Sequence, residues 1–287
     1  MKKLKYFIEF LVIVLLFLIF RIVGYKVASN FGYFIGKNIG PKFRSKEIIK
    51  ENLRKFKTSI NNYETEEITK KMWGNYGRIL AEYPFIPSFR KRKLEKYIKI
   101  DGLENLEKIK INKEPTVFIS GHFNNFELMA MIIEREGIDL FAVYRPLNNK
   151  FLNTIMEYLR KNYICKNQIK KGLKGVREAL TFFKKGKSLA IMIDQRVTEG
   201  ISSKFFGNNA FTTTIPAQFV KKFNCNIQPV HIERINEIHF KIVFDKQLEF
   251  NKEQSIEDIT EKLNRWLENK IMKNPDQWIW THNRWRR

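Results

Sequence analysis

Cysteine is nearly missing from this chain. Cys165 and Cys225 are its only two, too few for a disulfide framework, and both lie in apolar or basic stretches where packing in a reducing compartment is the expected role. The sequence has no internal repeat, no low-complexity block and no Pro/Gly/Ser linker long enough to separate a pair of domains, which argues for one globular unit. Metal-ligand spacing is also lacking, so no metal site and no cofactor are expected. Acidic residues are scarce beside basic ones, 30 Asp+Glu against 53 Lys+Arg, for a formal charge of +23. That field attracts polyanions: nucleic acid, an anionic membrane surface or an acidic protein.

What the chain does have is a core and an apolar leader. Its 287 residues are 44% hydrophobic, enough for one large α/β domain or two small ones. From Phe7 to Val23 it reads FIEFLVIVLLFLIFRIV, about 26 Å as a helix against a bilayer core of about 30 Å. The basic start at Lys2, Lys3 and Lys5 also suits a signal peptide, but no small-x-small cleavage site follows before Arg21 and Lys26, which favours an uncleaved anchor. Positive charge is denser after the run than before it. The large domain is therefore expected on the cytoplasmic side of the membrane. Nucleic acid is set aside, since an anchor is present and a recognition motif is not. The expected organisation is an anchor over 1–25 and a domain over 26–287.

Within the domain, Ile48, Ile49, Leu53 and Phe56, then Ile68, Met72, Tyr76 and Ile79, recur at helical spacing, so 26–97 reads as a helical cover. From 98 onward short β-rich runs alternate with helical ones. Thr116–Ser120, Phe141–Tyr144, Ser188–Ile193, Ile227–Ile232 and Phe240–Phe244 are the candidate strands. Helices are expected at Leu173–Phe183 and Ile256–Leu267. The fold expected is α/β: a central, mostly parallel sheet flanked by helices, with an N-terminal anchor helix.

The first strand runs into GHFNNFE, residues 121–127, and then into the apolar LMAMII. Residues five apart on one helix differ by about 140° in azimuth, so His122 must sit on the turn, with Asn124 or Asn125 as N-cap, for Glu127 to reach back to it. A carboxylate that fixes an imidazole tautomer leaves the other ring nitrogen to take a proton from an attacking hydroxyl. Chance also produces this spacing. Arg145, in YRPLNN after the next strand, suits a phosphate or an ordinary surface ion pair. Asp194 ends a third strand, and open α/β sheets keep their sites at strand ends. Phe205, Phe206 and Phe211 read as an acyl tunnel or as core, and Thr212–Thr214 as anion donors or a plain N-cap.

Taken in order, GHFNNFE, YRPLNN, DQ, FFGNNAFTTTIPA and PDQWIWTHNRW resemble the bacterial lipid A biosynthesis acyltransferases, from about residue 100 to the C-terminus. The resemblance implies a membrane-bound O-acyltransferase with His122 and Glu127 as its catalytic pair. Arg145, Asp194, Lys170, Asn125 and Thr213 become substrate-binding residues, acyl-acyl carrier protein the donor, and a lipid A precursor the acceptor. Two departures bear on the acceptor: better-known members usually carry an Arg near Lys170, in the segment 170–175, and Ile215 stands where the family has Gly before Pro-Ala. A lysophospholipid, glycolipid or aminolipid acceptor is the nearest alternative, and a basic membrane-binding protein without catalysis the next. In the tail, Trp278, Trp280 and Trp285 with His282, Arg284, Arg286 and Arg287 suit an anionic membrane interface or, for one or two of the tryptophans, the core.

Overall fold

The computed structural model describes residues 2–251 and 253–286. Helix α1 (Lys2–Val23) is followed by α2 (Tyr25–Ile39), α3 (Lys46–Phe56), α4 (Asn62–Glu82) and α5 (Ile86–Arg90). A capping box starts α4: the Asn61 side chain accepts from the Glu64 N–H while Glu64 accepts from the Asn61 N–H, satisfying two amides that a helix start leaves open. Helices α2 and α4 cross with their backbones almost touching. A methyl group on Gly32 or Gly77 would collide with the carbonyl of the other, so only glycine permits this approach.

The sheet then assembles from β1 (Ile98–Asp101), β2 (Val117–Ser120), β3 (Leu140–Tyr144), β4 (Asn167–Lys170), β5 (Ser188–Met192), β8 (Ile227–Ile235) and β9 (His239–Phe244), in the order β1-β9-β8-β2-β5-β3-β4. Every pairing is parallel except β8 with β9. Strand β2 is buried at all its residues, as expected of a central parallel strand covered on both faces. The covering helices are α6 (Leu103–Asn112), α7 (Glu127–Arg135), α8 (Lys150–Leu159), α9 (Leu173–Lys184), α10 (Ile215–Phe223) and α11 (Ile256–Lys273). The fold is thus the α/β one expected, with α1 long and apolar enough to cross a membrane.

Four strands carry no clear pattern in the sequence. β1 and β4 are short, partly polar edge strands. β6 (Ile201–Phe205) and β7 (Asn208–Thr212) form a separate antiparallel hairpin, turned at Phe206 and Gly207 with φ of 48° and 69°. A two-residue turn with both φ positive matches the strand twist, but a phenylalanine in the first position hides it from the usual Asn-Gly signature.

The C-terminal tail is core, not membrane interface. Trp278, Trp280, Trp285 and Arg284 are all buried. The Asn52 side chain donates to the carbonyls of Trp280 and His282, both at 2.8 Å, and Arg284 donates to the Phe211 carbonyl and Thr212 hydroxyl. Arg287 lies outside the described residues.

Candidate active site

The C-terminal ends of β2, β5 and β3, three neighbours in the sheet, deliver the candidate residues to one crevice. Ser120 is in register with Met192. One further rung, from the Ile193 N–H to the Ser120 carbonyl at 2.9 Å, brings Asp194 level with His122. The Nδ1 atom of His122 lies 2.7 Å from Asp194 Oδ1, and the His122 backbone N–H donates to Oδ2 at 2.8 Å. The Trp278 indole N–H also donates to Oδ2, at 2.9 Å. A carboxylate can only accept here, so Nδ1 carries the proton of the neutral ring and Nε2 is left with a lone pair.

Burial opposes charge on both partners, yet each favours the charged form of the other. Asp194 is brought down to about 2, because His122 and the donors around it outweigh burial. His122 rises above its ordinary value near 6.5, because Asp194 outweighs burial. The neighbouring His282 behaves oppositely. Burial pushes it down to about 4, and its Nε2 accepts the Arg196 N–H at 2.9 Å.

Glu127 is not the carboxylate on Nδ1. It is the first residue of α7, and its Oε1 receives Arg160 through Nε at 2.9 Å and Nη2 at 2.6 Å, together with the Tyr83 hydroxyl. Arg160 stands in a π turn over Arg160–Ile164 that continues α8. Burial penalises its guanidinium, but Glu127 outweighs that and raises its pKa. The expected reach of Glu127 back to the imidazole is therefore replaced by two pairs side by side, His122 with Asp194 and Glu127 with Arg160. Neither asparagine caps α7, whose N-cap position is Phe126. Both are spent fixing the turn: Asn124, at φ 46°, donates to the Ile232 carbonyl and Gln277, and Asn125 donates to Glu82.

His122, Glu127, Arg160, Arg145, Lys171, Arg196 and Thr213 line one cavity of about 330 Å³. Three residues expected to touch substrate do not line it. Asp194 and Asn125 are fully buried behind the turn, and Lys170 projects to Glu157 at 3.3 Å. Its neighbour Lys171 lines the cavity instead. An adjoining apolar chamber of about 320 Å³ shares Val143, Lys171, Val197, Thr213 and Ile215 with it and continues between α9 and α10, past Val176, Ala179, Leu180 and Phe219. The expected tunnel of Phe205, Phe206 and Phe211 is not this chamber. Phe205 packs on Trp278 and Trp285, and Phe206 on Phe56. Thr214 is the N-cap residue of α10 without a side-chain cap bond, while Thr213 Oγ1 accepts the Ile215 N–H at 3.4 Å.

Arg160, Tyr83 and Trp278 complete the site without any local signal that marks them for it. Arg160 lies in an ordinary basic stretch, RKN, and Tyr83 in the helical cover; only the tertiary fold brings them to Glu127.

A family model described as bacterial lipid A biosynthesis acyltransferase matches residues 1–287. A lipid A biosynthesis palmitoleoyltransferase of Escherichia coli (strain K12) is 21% identical over 271 residues, covering 91% of this chain and 86% of its own length. Lipid A biosynthesis acyltransferases of Shigella flexneri and of Haemophilus influenzae (strain ATCC 51907 / DSM 11121 / KW20 / Rd) are similar at 21% and 20% identity, over 91% and 94% of this chain and 86% and 84% of their own lengths.

Proposed function

Because the chain belongs to the bacterial lipid A biosynthesis acyltransferases, we propose that it transfers a fatty acyl group from acyl-acyl carrier protein to a hydroxyl of a lipid A precursor at the cytoplasmic face of the inner membrane. The observation that carries this reading is the cavity in which His122 stands, backed by Asp194, beside an apolar chamber of about 320 Å³.

In this mechanism His122 Nε2 takes the proton of the acceptor hydroxyl as its oxygen attacks the thioester carbonyl. The new C–O bond forms and a tetrahedral oxyanion develops, stabilised by the cationic lining of the cavity. The C–S bond then breaks and the proton passes from His122 to the departing thiolate. Asp194 acts through the imidazole, fixing its tautomer. Glu127 and Arg160 form the cavity wall, where the fork on Glu127 neutralises Arg160 and leaves Arg145, Lys171 and Arg196 to meet the phosphates of the acceptor. The acyl chain lies in the chamber. Lys171 and Lys222, both in its lining, give its mouth the charge that an acidic carrier protein seeks.

The test incubates the purified protein with labelled acyl-acyl carrier protein and a panel of acceptors. Transfer to a Kdo-bearing lipid A precursor is expected. Transfer to lysophospholipid alone would keep the reaction and discard the acceptor; transfer to none would discard both.

A further inference from the structure

We propose that α1 lies in the plane of the membrane, sunk to one side in the leaflet next to the domain, and does not cross the bilayer. The inference rests on the membrane-acting reading above and concerns only how the chain meets lipid.

Helix α1 is held to the domain from near its start to its end. The Tyr6 carbonyl accepts from the Asn149 side chain at 2.8 Å. The Phe7 and Phe10 rings pack on Phe151 of α8, at 5.5 and 5.9 Å between centroids. Further along, Phe17 stacks on Tyr83 at 6.5 Å, Phe20 is buried, and Arg21 Nη1 donates to Ser88 Oγ at 3.0 Å. Tyr6 and Arg21 are about 22 Å apart along the helix, most of the ~30 Å hydrocarbon thickness. A crossing helix would drag what is bound along that length into hydrocarbon, including Asn149 and the exposed Lys150 and Lys161 that flank α8. Polar groups facing lipid at that depth are expelled.

The opposite side of α1 is built for lipid. Leu4, Ile8, Leu11, Leu15, Leu18 and Ile22 are all exposed, and their spacing of three and four residues sets them in one stripe along the whole helix. Phe151 and Tyr158 of α8, both exposed, extend the apolar surface beside its first half. Lys2, Lys3 and Lys5 at one end and Lys26 beyond the other are exposed too. An in-plane helix puts both cationic ends among the anionic headgroups of one leaflet. A crossing helix would put them on opposite sides. The arrangement also sets the catalytic cavity at headgroup level, since Phe17 touches Tyr83 and the Tyr83 hydroxyl bonds Glu127 in the cavity wall.

The test uses the full chain with Cys225→Ser, leaving the buried Cys165 in place, and single cysteines at L4C, L11C, L18C and I22C. Inverted membrane vesicles of a bacterial expression host are treated with an impermeant maleimide, with K184C on the domain as reference. Fluorophores at the same positions are read against lipids brominated at graded depth, in vesicles of phosphatidylethanolamine and phosphatidylglycerol. The expected result is that L4C and I22C are both blocked from the side that blocks K184C, and that L4C, L11C and L18C share one shallow depth. Labelling of L4C only from the opposite side, with L11C deepest, would overturn the in-plane placement and leave the membrane reading intact. Aqueous labelling at every position without bromine quenching would overturn both, and transfer to detergent-dispersed acceptor would then show whether the catalytic reading stands.

Discussion

Asp194 takes three donors, from the His122 ring, the His122 backbone and the Trp278 indole, and in the proposed mechanism what it does to the imidazole sets how activity depends on pH. The base must be neutral to accept a proton. Because Asp194 raises His122 above its ordinary value near 6.5, activity falls as pH drops through a limb that lies above that value. In Asp194→Asn the anion is gone while burial, the largest influence and one that lowers His122, remains, with Glu127 and Arg160 opposing each other. The limb of kcat/KM should then move to lower pH, with the plateau reduced about 10²- to 10⁴-fold. An unmoved limb would mean that another carboxylate holds the ring. The second pair is tested by stability. Glu127 and Arg160 are nearly buried, with side-chain exposures of 8% and 12%, so Arg160→Met strands a carboxylate and should cost about 3 kcal/mol. Glu127→Met with Arg160→Met should recover most of the lost melting temperature. Additive losses in the double variant would show that the two do not act as a pair.

The elements also decide how much of the site is legible in the sequence. His122 on a strand-to-helix turn is readable in VFIS-GH followed by an apolar helix, because a strand and a helix announce themselves by their different periods. The partner of His122 is not readable. It depends on the register of Ser120 with Met192, which parallel pairing sets and local sequence does not. The tunnel escapes the sequence for a similar reason: Phe205 and Phe206 belong to a hairpin whose turn lacks Asn-Gly, and their rings face the tail tryptophans and Phe56. The chamber between α9 and α10 gives its own prediction. Val176 stands in its wall, so Val176→Phe should shorten the space and shift preference towards donors with fewer carbons, read as the ratio of transfer rates for short and long acyl chains. An unchanged ratio would place the chain elsewhere.

At the scale of the whole molecule, a formal charge of +23 and an exposed apolar helix act together. Each cation near an anionic leaflet adds about 1 kcal/mol, and salt screens that attraction as the Debye length falls from about 10 Å at 0.1 M to about 3 Å at 1 M. Binding to vesicles containing phosphatidylglycerol should therefore weaken with salt yet persist, because the stripe on α1 is insensitive to screening; complete release in a flotation assay would deny α1 its role. The α/β class, the apolar leader and the cationic excess are all legible in composition and pattern. The burial of Trp278, Trp280 and Arg284 is not, since aromatics interleaved with arginines read equally as interface or core. In the mechanism proposed above, catalysis turns on one nitrogen, Nε2 of His122. The measurement that tests it most directly is acyl transfer by the purified His122→Ala protein, with its melting temperature checked against the wild type. A fall of about 10²- to 10⁴-fold in a folded protein is predicted, and transfer at the wild-type rate would contradict it.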